Sequence, residues 1–542
     1  MSSYSYPVGP VVGPDSGPGA AARQPFPGFA PASRRSLLRA VLLLSVLLAA
    51  VPNSGAPVAG QAGADTGRVT EAVAGTLGTG DAGRPSISAD DRYVAFESLA
   101  GNLVPGDTNA LEDVFVYDRR TNATERASVA TGGAQGTGLS SRPAISGDGR
   151  YVAFVSVAKN LVPSDTNGAA DVFVRDRQTN TTERASVAGD ASQGNADSRR
   201  PSISSDGRFV AFASLASNLV TGDTNGTEDV FVRDRQTGAT SRVSVGTGGT
   251  EANDASYALS ISGDGRYVGF ESDATNLVAG DTNNAVDTFL HDRQTGASSR
   301  VSVTSAGAQA VEDSYSLAVS DDGSFVAFGS LAANLAMDDT NGIEDAFLRD
   351  RQTDTTTRLS VATGGAQANN GSFDVSVSGD GRYVAYDSDA SNLAGGDTNG
   401  GQDVFVRDRQ VGETSLVSVT SDGLIGNASS YWPAISTNGR CVAFASNATN
   451  LVAGDTNGKR DVFVSCVVHR GDCNNDGPVD AADIARIVLE IFDGDGDGPA
   501  ATPGGTVRGN PIGCNANQDT EVDAGDLACT VRLLFDSPGG CG

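Results

Sequence analysis

The chain repeats itself seven times at one fixed period. The motif Asp-Gly-Arg-Tyr-Val-Ala-Phe places its arginine at 92, 150, 208, 266, 382 and 440, with Ser324 filling the single gap, a constant step of 58 residues. A second anchor, the aspartate ahead of Val-Phe-Val or its variants, falls at 113, 171, 229, 287, 345, 403 and 461 with the same step and no insertion. A supersecondary unit of this size cannot bury its apolar face alone, so its copies must stack on one another.

Each unit holds four strand-like runs. In the second unit they are 144–146, 151–156, 171–175 and 182–187, separated by Gly147-Asp148-Gly149, Asp165-Thr166-Asn167-Gly168 and Arg177-Gln178-Thr179-Asn180. Alternating apolar residues such as Val152 and Phe154, or Val172 and Val174, read as half-buried strands bounded by turns. Four strands per unit make a propeller blade. The seventh unit stops after Asp461 to Val464 and lacks a fourth strand, whereas 66–73 precedes the first unit and resembles the missing strand, which elsewhere reads Thr-x-Arg-x-Ser-Val. The N-terminal segment is therefore expected to complete the last blade and lock the ring, because an open array would leave a strand edge unpaired.

The Ser-x-Asp-Gly-Arg-Tyr-Val-Ala-Phe segments followed by Asp-Val-Phe-Val-x-Asp resemble the repeats of TolB-type, WD-like β-propellers over about residues 66–468. The resemblance implies a fold and a binding role, since such propellers act as interaction platforms or as accessory domains of some peptidases. No peptidase domain follows here. The expected fold is mainly β: a seven-bladed β-propeller of four-stranded blades closed by an N-terminal strand, plus a small α-helical dockerin-like calcium module. The expected organisation is a disordered leader over 1–32, a signal peptide over 33–64, the propeller over 65–468 and the calcium module over 469–542.

The export reading rests on Arg34-Arg35 and Arg39, the apolar run 40–51 and the small residues Ser54-Gly55-Ala56, with Ala62-Gly63-Ala64 as a second cleavage site. That pattern is a signal peptide, and its paired arginines resemble a twin-arginine signal. The run is too short to span a bilayer, so no transmembrane span is expected in the mature chain, which is placed outside the cell, at its surface or in a periplasm. All six cysteines lie at 441 or beyond, an even number suited to disulfides in an exported protein. A formal net charge of −28 repels phosphate backbones and argues against nucleic acid as a partner. With only His291 and His469, histidine catalysis and histidine zinc sites have almost no material. If strands two and three of the last blade pair Ser446 with Asp461, Cys441 faces Cys466, and a disulfide is expected between them.

Residues entering the first strand of each blade should ring the channel mouth. The candidate ligand residues are Arg84, Arg142, Arg200, Tyr257, Tyr315, Asp374, Tyr431 and Trp432. Arginine forks suit carboxylates or hydroxyl-rich ligands, and aromatic faces stack on sugar rings; the alternative is that these side chains fill space between blades. The Asp-Thr-Asn loops (Asp107, Asn109 and Asp113 in the first unit) supply oxygens at alternate positions, as calcium sites do, but they are read as turns capped by Asn and Asp side chains. The repeated Asp118-Arg119, Asp176-Arg177 and Asp234-Arg235 are read as structural hairpin pairs, since they recur in nearly every blade whereas an active site is built once.

The C-terminal segment carries two calcium-loop patterns. Asp472, Asn474, Asp476, Pro478, Asp480 and Asp483 occupy positions 1, 3, 5, 7, 9 and 12 of an EF-hand-type loop, with Gly477 at the sharp turn and Pro478 offering its carbonyl. Asn515, Asn517, Asp519, Glu521, Asp523 and Asp526 repeat the spacing with Thr520 at the glycine position. A loop closed by Asp and followed by one helix, twice, resembles the dockerin type I motif over about 471–541. The resemblance implies Ca²⁺ as the cofactor and a cohesin-like partner or intramolecular docking; Ala481-Ala482 and Ala524-Gly525 depart from the Ser-Thr pair used in recognition. Cys473, Cys514, Cys529 and Cys541 allow three pairings.

The expected function is an exported, non-catalytic binding or scaffold protein that takes a glycan or protein at the propeller mouth. The alternative is a secreted glycoside hydrolase, or an accessory component of polysaccharide degradation, tethered through the calcium module. A glycosidase needs two carboxylates at a set separation, and among Asp254, Glu312, Asp313 and Asp374 no pair stands out.

Overall fold

The computed structural model describes residues 64–72 and 75–467. Seven four-stranded antiparallel sheets account for almost all of it. The second blade runs Ser140–Ile145, Tyr151–Ser156, Asp171–Asp176 and Thr181–Arg184, and each strand pairs with its chain neighbour. The first strands of successive blades lie side by side round the ring, and that of the seventh blade lies beside that of the first. The first strand is thus the inner one and the fourth the outer one.

Ring closure follows the expected route. The outer strand of the seventh blade is Ala64–Arg68, paired antiparallel with Asp461–Val467 so that Arg68 faces Phe463. Arg184 faces Phe173 in the same way within a blade built from one stretch of chain. Thr70 adds a hydrogen bond from its hydroxyl to the Asp461 carboxylate. Within the second blade, two bounds differ from the sequence reading by more than one residue. The outer strand of the second blade ends at Arg184 instead of 187, because Ser186 turns its hydroxyl onto buried Asp171 and the Val187 amide bonds back to the Ala185 carbonyl. The inner strand starts at Ser140 instead of 144, since its polar opening residues hide a pleat that is broken by a bulge between Ser141 and Ala144.

The core is laid down blade by blade. In every blade an aromatic of the second strand stacks on a phenylalanine of the third, from Phe96–Phe115 at 5.8 Å to Phe444–Phe463 at 5.9 Å between ring centroids. Each such aromatic is fully buried, and hydrophobic clusters bridge consecutive blades. Burying one such ring contributes on the order of 2–3 kcal/mol before entropy is counted.

The Asp-Arg dipeptides are structural, but their two members do not pair with each other. Asp176 takes a two-pronged bond from Arg150 of the neighbouring strand at 3.0 and 2.7 Å. Arg177 reaches the preceding blade and lies 4.3 Å over the Tyr93 ring. Arg235, Arg293, Arg351 and Arg409 do the same over Tyr151, Phe209, Tyr267 and Phe325. The last blade has Cys441 where the others have this aromatic. Cys441 faces Cys466 and the two are joined as a disulfide, with Arg119 donating to both sulfurs at 3.6 and 3.1 Å. Gly149, at φ 70°, lies so close to Tyr93 that a Cβ would come within 2.1 Å of the ring, so glycine is required there.

Inner strands begin, second strands end and third strands begin at one face of the ring, the mouth face: Ser140 pairs with Ser156, and Ser156 with Asp171. Ala64 pairs with Val467 at the opposite face, beside the Cys441–Cys466 register. The described N-terminal strand thus enters, and the last strand leaves, away from the mouth. Among the described residues no helix is long and apolar enough to cross a membrane.

Candidate functional site

The bulge of each inner strand sets one residue per blade at equivalent places: Arg84, Arg142, Arg200, Ala258, Ser316, Asp374 and Trp432. Arg84, Arg142, Arg200, Ser316 and Trp432 all hold φ between 46° and 54°, a left-handed conformation that costs about 1 kcal/mol or more for a side chain other than glycine. Three carboxylates hold this conformation by accepting the bulge amide of the next blade. Glu97 accepts from Arg142 at 2.8 Å, Glu271 from Ser316 at 2.6 Å and Asp387 from Trp432 at 3.0 Å.

These side chains share one opening. Asp374 of the sixth blade is stabilised as an anion by Arg84 and Arg142 of the first and second, and Glu271 of the fourth blade interacts with Asp374. Interactions that skip blades need a common centre. The opening is split by charge. Arginines line the arc of blades one to three. Glu271, Glu344, Asp374 and Asp387 line the arc of blades four to six. Burial pushes Glu271 and Glu344 up to about 7, raises Asp374 and lifts Asp387 well above the usual carboxylate range, with the Asp374 charge adding to the shift at Asp387. Glu112, under the arginine arc, is raised by burial to about 7 as well. Ser316 donates from its hydroxyl to Asp374 at 3.2 Å.

On the other arc, Arg84 lies 3.3 Å from Glu97. Among the described residues, Arg142 and Arg200 have no carboxylate within ion-pair distance and no hydrogen bond from the guanidinium. Burial and the neighbouring Arg84 and Arg200 lower the pKa of Arg142. Arg200 lies 5.7 Å from the Tyr257 ring centre.

Of the residues singled out from sequence, Arg84, Arg142, Arg200, Asp374 and Trp432 occupy the bulge itself. Tyr257, Tyr315 and Tyr431 stand one residue earlier, where the pleat turns them to the adjoining side; Tyr257 interacts with Asp273 and Tyr315 with Glu344. Two guanidinium groups, of Arg84 and Arg460, lie 4.7 and 4.8 Å from the Trp432 ring. Asp254 and Glu312 are exposed on loops, and Asp313 accepts the Val286 amide at 2.9 Å. Sequence reasoning passed over Glu97, Glu271, Glu344 and Asp387. A signal existed for three of them: the place held by Glu97, Glu271 and Asp387 carries Val155, Ala213, Gly329 and Ala445 in the other blades.

The Asp-Thr-Asn loops are turns, each neutralised from within in most blades. Asn109 accepts the Leu111 amide at 2.9 Å and donates to Asp113 at 3.2 Å. Arg126 lies 3.3 Å from both Asp107 and Asp113. Among the described residues, Asp223, Asp229 and Glu251 converge within 4.8 Å, as metal ligands would. Arg242 Nη1 fills that place, 3.7 Å from Asp223 and 3.2 Å from Asp229, and bonded to Glu251. The guanidinium holds the place that a metal would take, so the three carboxylates already share one cation there. The C-terminal calcium ligands, Asp472 to Asp483 and Asn515 to Asp526, lie outside the described residues.

No family model and no curated protein matches this sequence. Solved structures are similar in fold. Oligogalacturonate lyase from Vibrio parahaemolyticus is 12% identical at a TM-score of 0.44, over 74% of this chain and 97% of that one. TolB from Acinetobacter baumannii is 15% identical at 0.33, over 70% and 83%. The β-propeller domain of the Trilobed protease from Pyrococcus furiosus is 10% identical at 0.44, over 71% and 95%. Likeness at this level concerns the fold, and one propeller fold hosts many functions.

Proposed function

We propose that this is an exported, non-catalytic binding protein whose propeller takes a glycan or protein ligand at the channel mouth. A C-terminal dockerin-like module would bind Ca²⁺ and hold the protein to a cohesin-like partner or to the chain itself. The observation that carries the binding reading is the departure of the mouth from the repeat. Elsewhere the repeat answers its charged groups with the same partner in nearly every blade, as Arg150 does Asp176 and Arg208 does Asp234. At the mouth it sets Arg142 and Arg200, without an ion-pair partner among the described residues, opposite buried carboxylates. Convergent polar groups of shifted pKa in one opening are the signature of a ligand site. Because the last described strand leaves from the other face, a tether there would keep the mouth free.

The test is an array of glycans, polysaccharides and peptides probed with the full chain, with calcium and then with chelator. Binding that falls when Arg142 or Trp432 is replaced supports the reading. A blank array in both conditions removes it.

One observation favours a second reading, a secreted glycoside hydrolase: Glu271 and Glu344 are held at about 7, where a general acid works near neutrality. Turnover of a polysaccharide panel that is abolished by Glu344→Gln would establish it.

A further inference from the structure

We propose that the ligand of the channel mouth is a sugar acid, its carboxylate gripped by Arg142 and Arg200 and its hydroxyls met by the carboxyl groups of the opposite arc. This rests on the binding reading above and narrows it to one chemical class.

The argument is a balance of charge at the opening. Arg84 is answered by Glu97 at 3.3 Å. Arg142 and Arg200 are half-buried, and among the described residues neither has an anion within ion-pair distance. Across the opening, Glu271, Glu344, Asp374 and Asp387 are each favoured in their protonated, uncharged form by burial. Among the described residues the mouth thus holds two guanidinium groups that no carboxylate pairs, although the chain as a whole is at −28. A ligand that completes it brings net negative charge. That selects an acid over a neutral sugar, and over an amino-acid zwitterion, whose ammonium the two guanidinium groups would repel.

The second half of the ligand is read from the opposite wall. Asp387 is 1% exposed; one oxygen takes the Trp432 amide, and Oδ1 is buried without a hydrogen-bond partner among the described residues. A buried polar atom left unmatched costs roughly 1–3 kcal/mol, so a group that completes it is favoured. Neutral carboxyls both donate and accept, as hydroxyls do. Guanidinium forks on one side and carboxyls on the other thus match a carboxylate carried on a hydroxyl-bearing ring. Trp432 already carries two guanidinium groups over its ring, which places recognition on polar contacts ahead of ring stacking.

The experiment is calorimetric titration of the full chain at neutral pH with glucuronate, glucose, glycine and sulfate, on wild type, Arg142→Gln, Arg200→Gln and Arg142→Lys. Arg120→Gln, an exposed arginine away from the mouth, is the control. Glucuronate should bind and glucose should bind at least about tenfold more weakly; each Gln variant should lose about tenfold or more, and Arg142→Lys should lose less than Arg142→Gln. Thermal midpoints of the variants separate loss of ligand from loss of fold. Equal affinity for glucose and glucuronate overturns the inference, as does sulfate or glycine binding as tightly as glucuronate. Glucuronate binding unchanged in both Gln variants also overturns it. If none of the four binds while the array shows a neutral glycan or a peptide at the mouth, the sugar-acid class falls and the binding reading stands. If the array is blank too, both fall.

Discussion

Replacing Glu271 with glutamine should make the protein more stable, with a gain that is absent near pH 4.5 and grows as pH rises to neutrality and beyond. Glu271 is 5% exposed and accepts the Ser316 amide of the next blade. Burial lifts its carboxyl from an ordinary 4.5 to about 7. A group whose pKa is raised on folding contributes stability that is fully present below its unfolded pKa and lost as pH rises through the folded one. The window here runs from about 4.5 to about 7, and the stability lost across it is at most about 3 kcal/mol. Glutamine keeps an oxygen for the Ser316 amide and cannot ionise. At about 2 cal/mol/K of unfolding entropy per residue over roughly 400 folded residues, that energy corresponds to ~3–4 °C in thermal midpoint. Midpoints of wild type and Glu271→Gln should therefore coincide near pH 4.5 and separate by a few degrees at pH 8.5, the variant being higher. A gap that does not change with pH, or a variant that is less stable at pH 8.5, would refute the placement of an ionisable Glu271 in a dry wall of the channel.

Removing residues 64–68 should leave strand Asp461–Val467 with an open edge, and light scattering should show association that the whole chain lacks. Replacing Cys441 and Cys466 together by alanine frees a loop of 25-residue separation. The expected loss is about 3–4 kcal/mol, and an unchanged midpoint under non-reducing conditions would contradict it. Arg242→Met should leave Asp223, Asp229 and Glu251 unbalanced, costing roughly 3 kcal/mol, with part of that loss restored by calcium in a thermal scan; a variant indifferent to calcium refutes the surrogate-cation reading. Calcium titration of the full chain should lose about one ion on Asp476→Ala and none on Asp223→Asn.

The ring was legible before any coordinates. A strict period of 58 residues, four strand-like runs per period, and a fourth strand missing at one end but present at the other leave few ways to bury seven apolar faces. The same counting set Cys441 against Cys466, because antiparallel register is arithmetic once one pair is fixed. Five of the bulge residues, Arg84, Arg142, Arg200, Asp374 and Trp432, stood out too, in the stretch where the repeat changes its chemistry from blade to blade, whereas Ala258 and Ser316 did not. The calcium-loop pattern at the C-terminus was read from spacing alone and stands on that spacing.

What the sequence alone decided was therefore the periodic part: local pattern repeated often enough to force a ring. Tertiary structure decided who faces whom across it. Asp176 pairs with Arg150 in place of its neighbour Arg177, and Arg177 crosses to Tyr93. Arg242 takes the centre of a carboxylate cradle that looks, on spacing, like a cation site. Glu271 and Asp387, ordinary acids in the chain, become uncharged-leaning walls of a channel opposite Arg142. The physical reason is common to all of these. Pairing and burial of charge depend on distances between residues dozens of positions apart, and a periodic pattern fixes such distances only once the ring has closed.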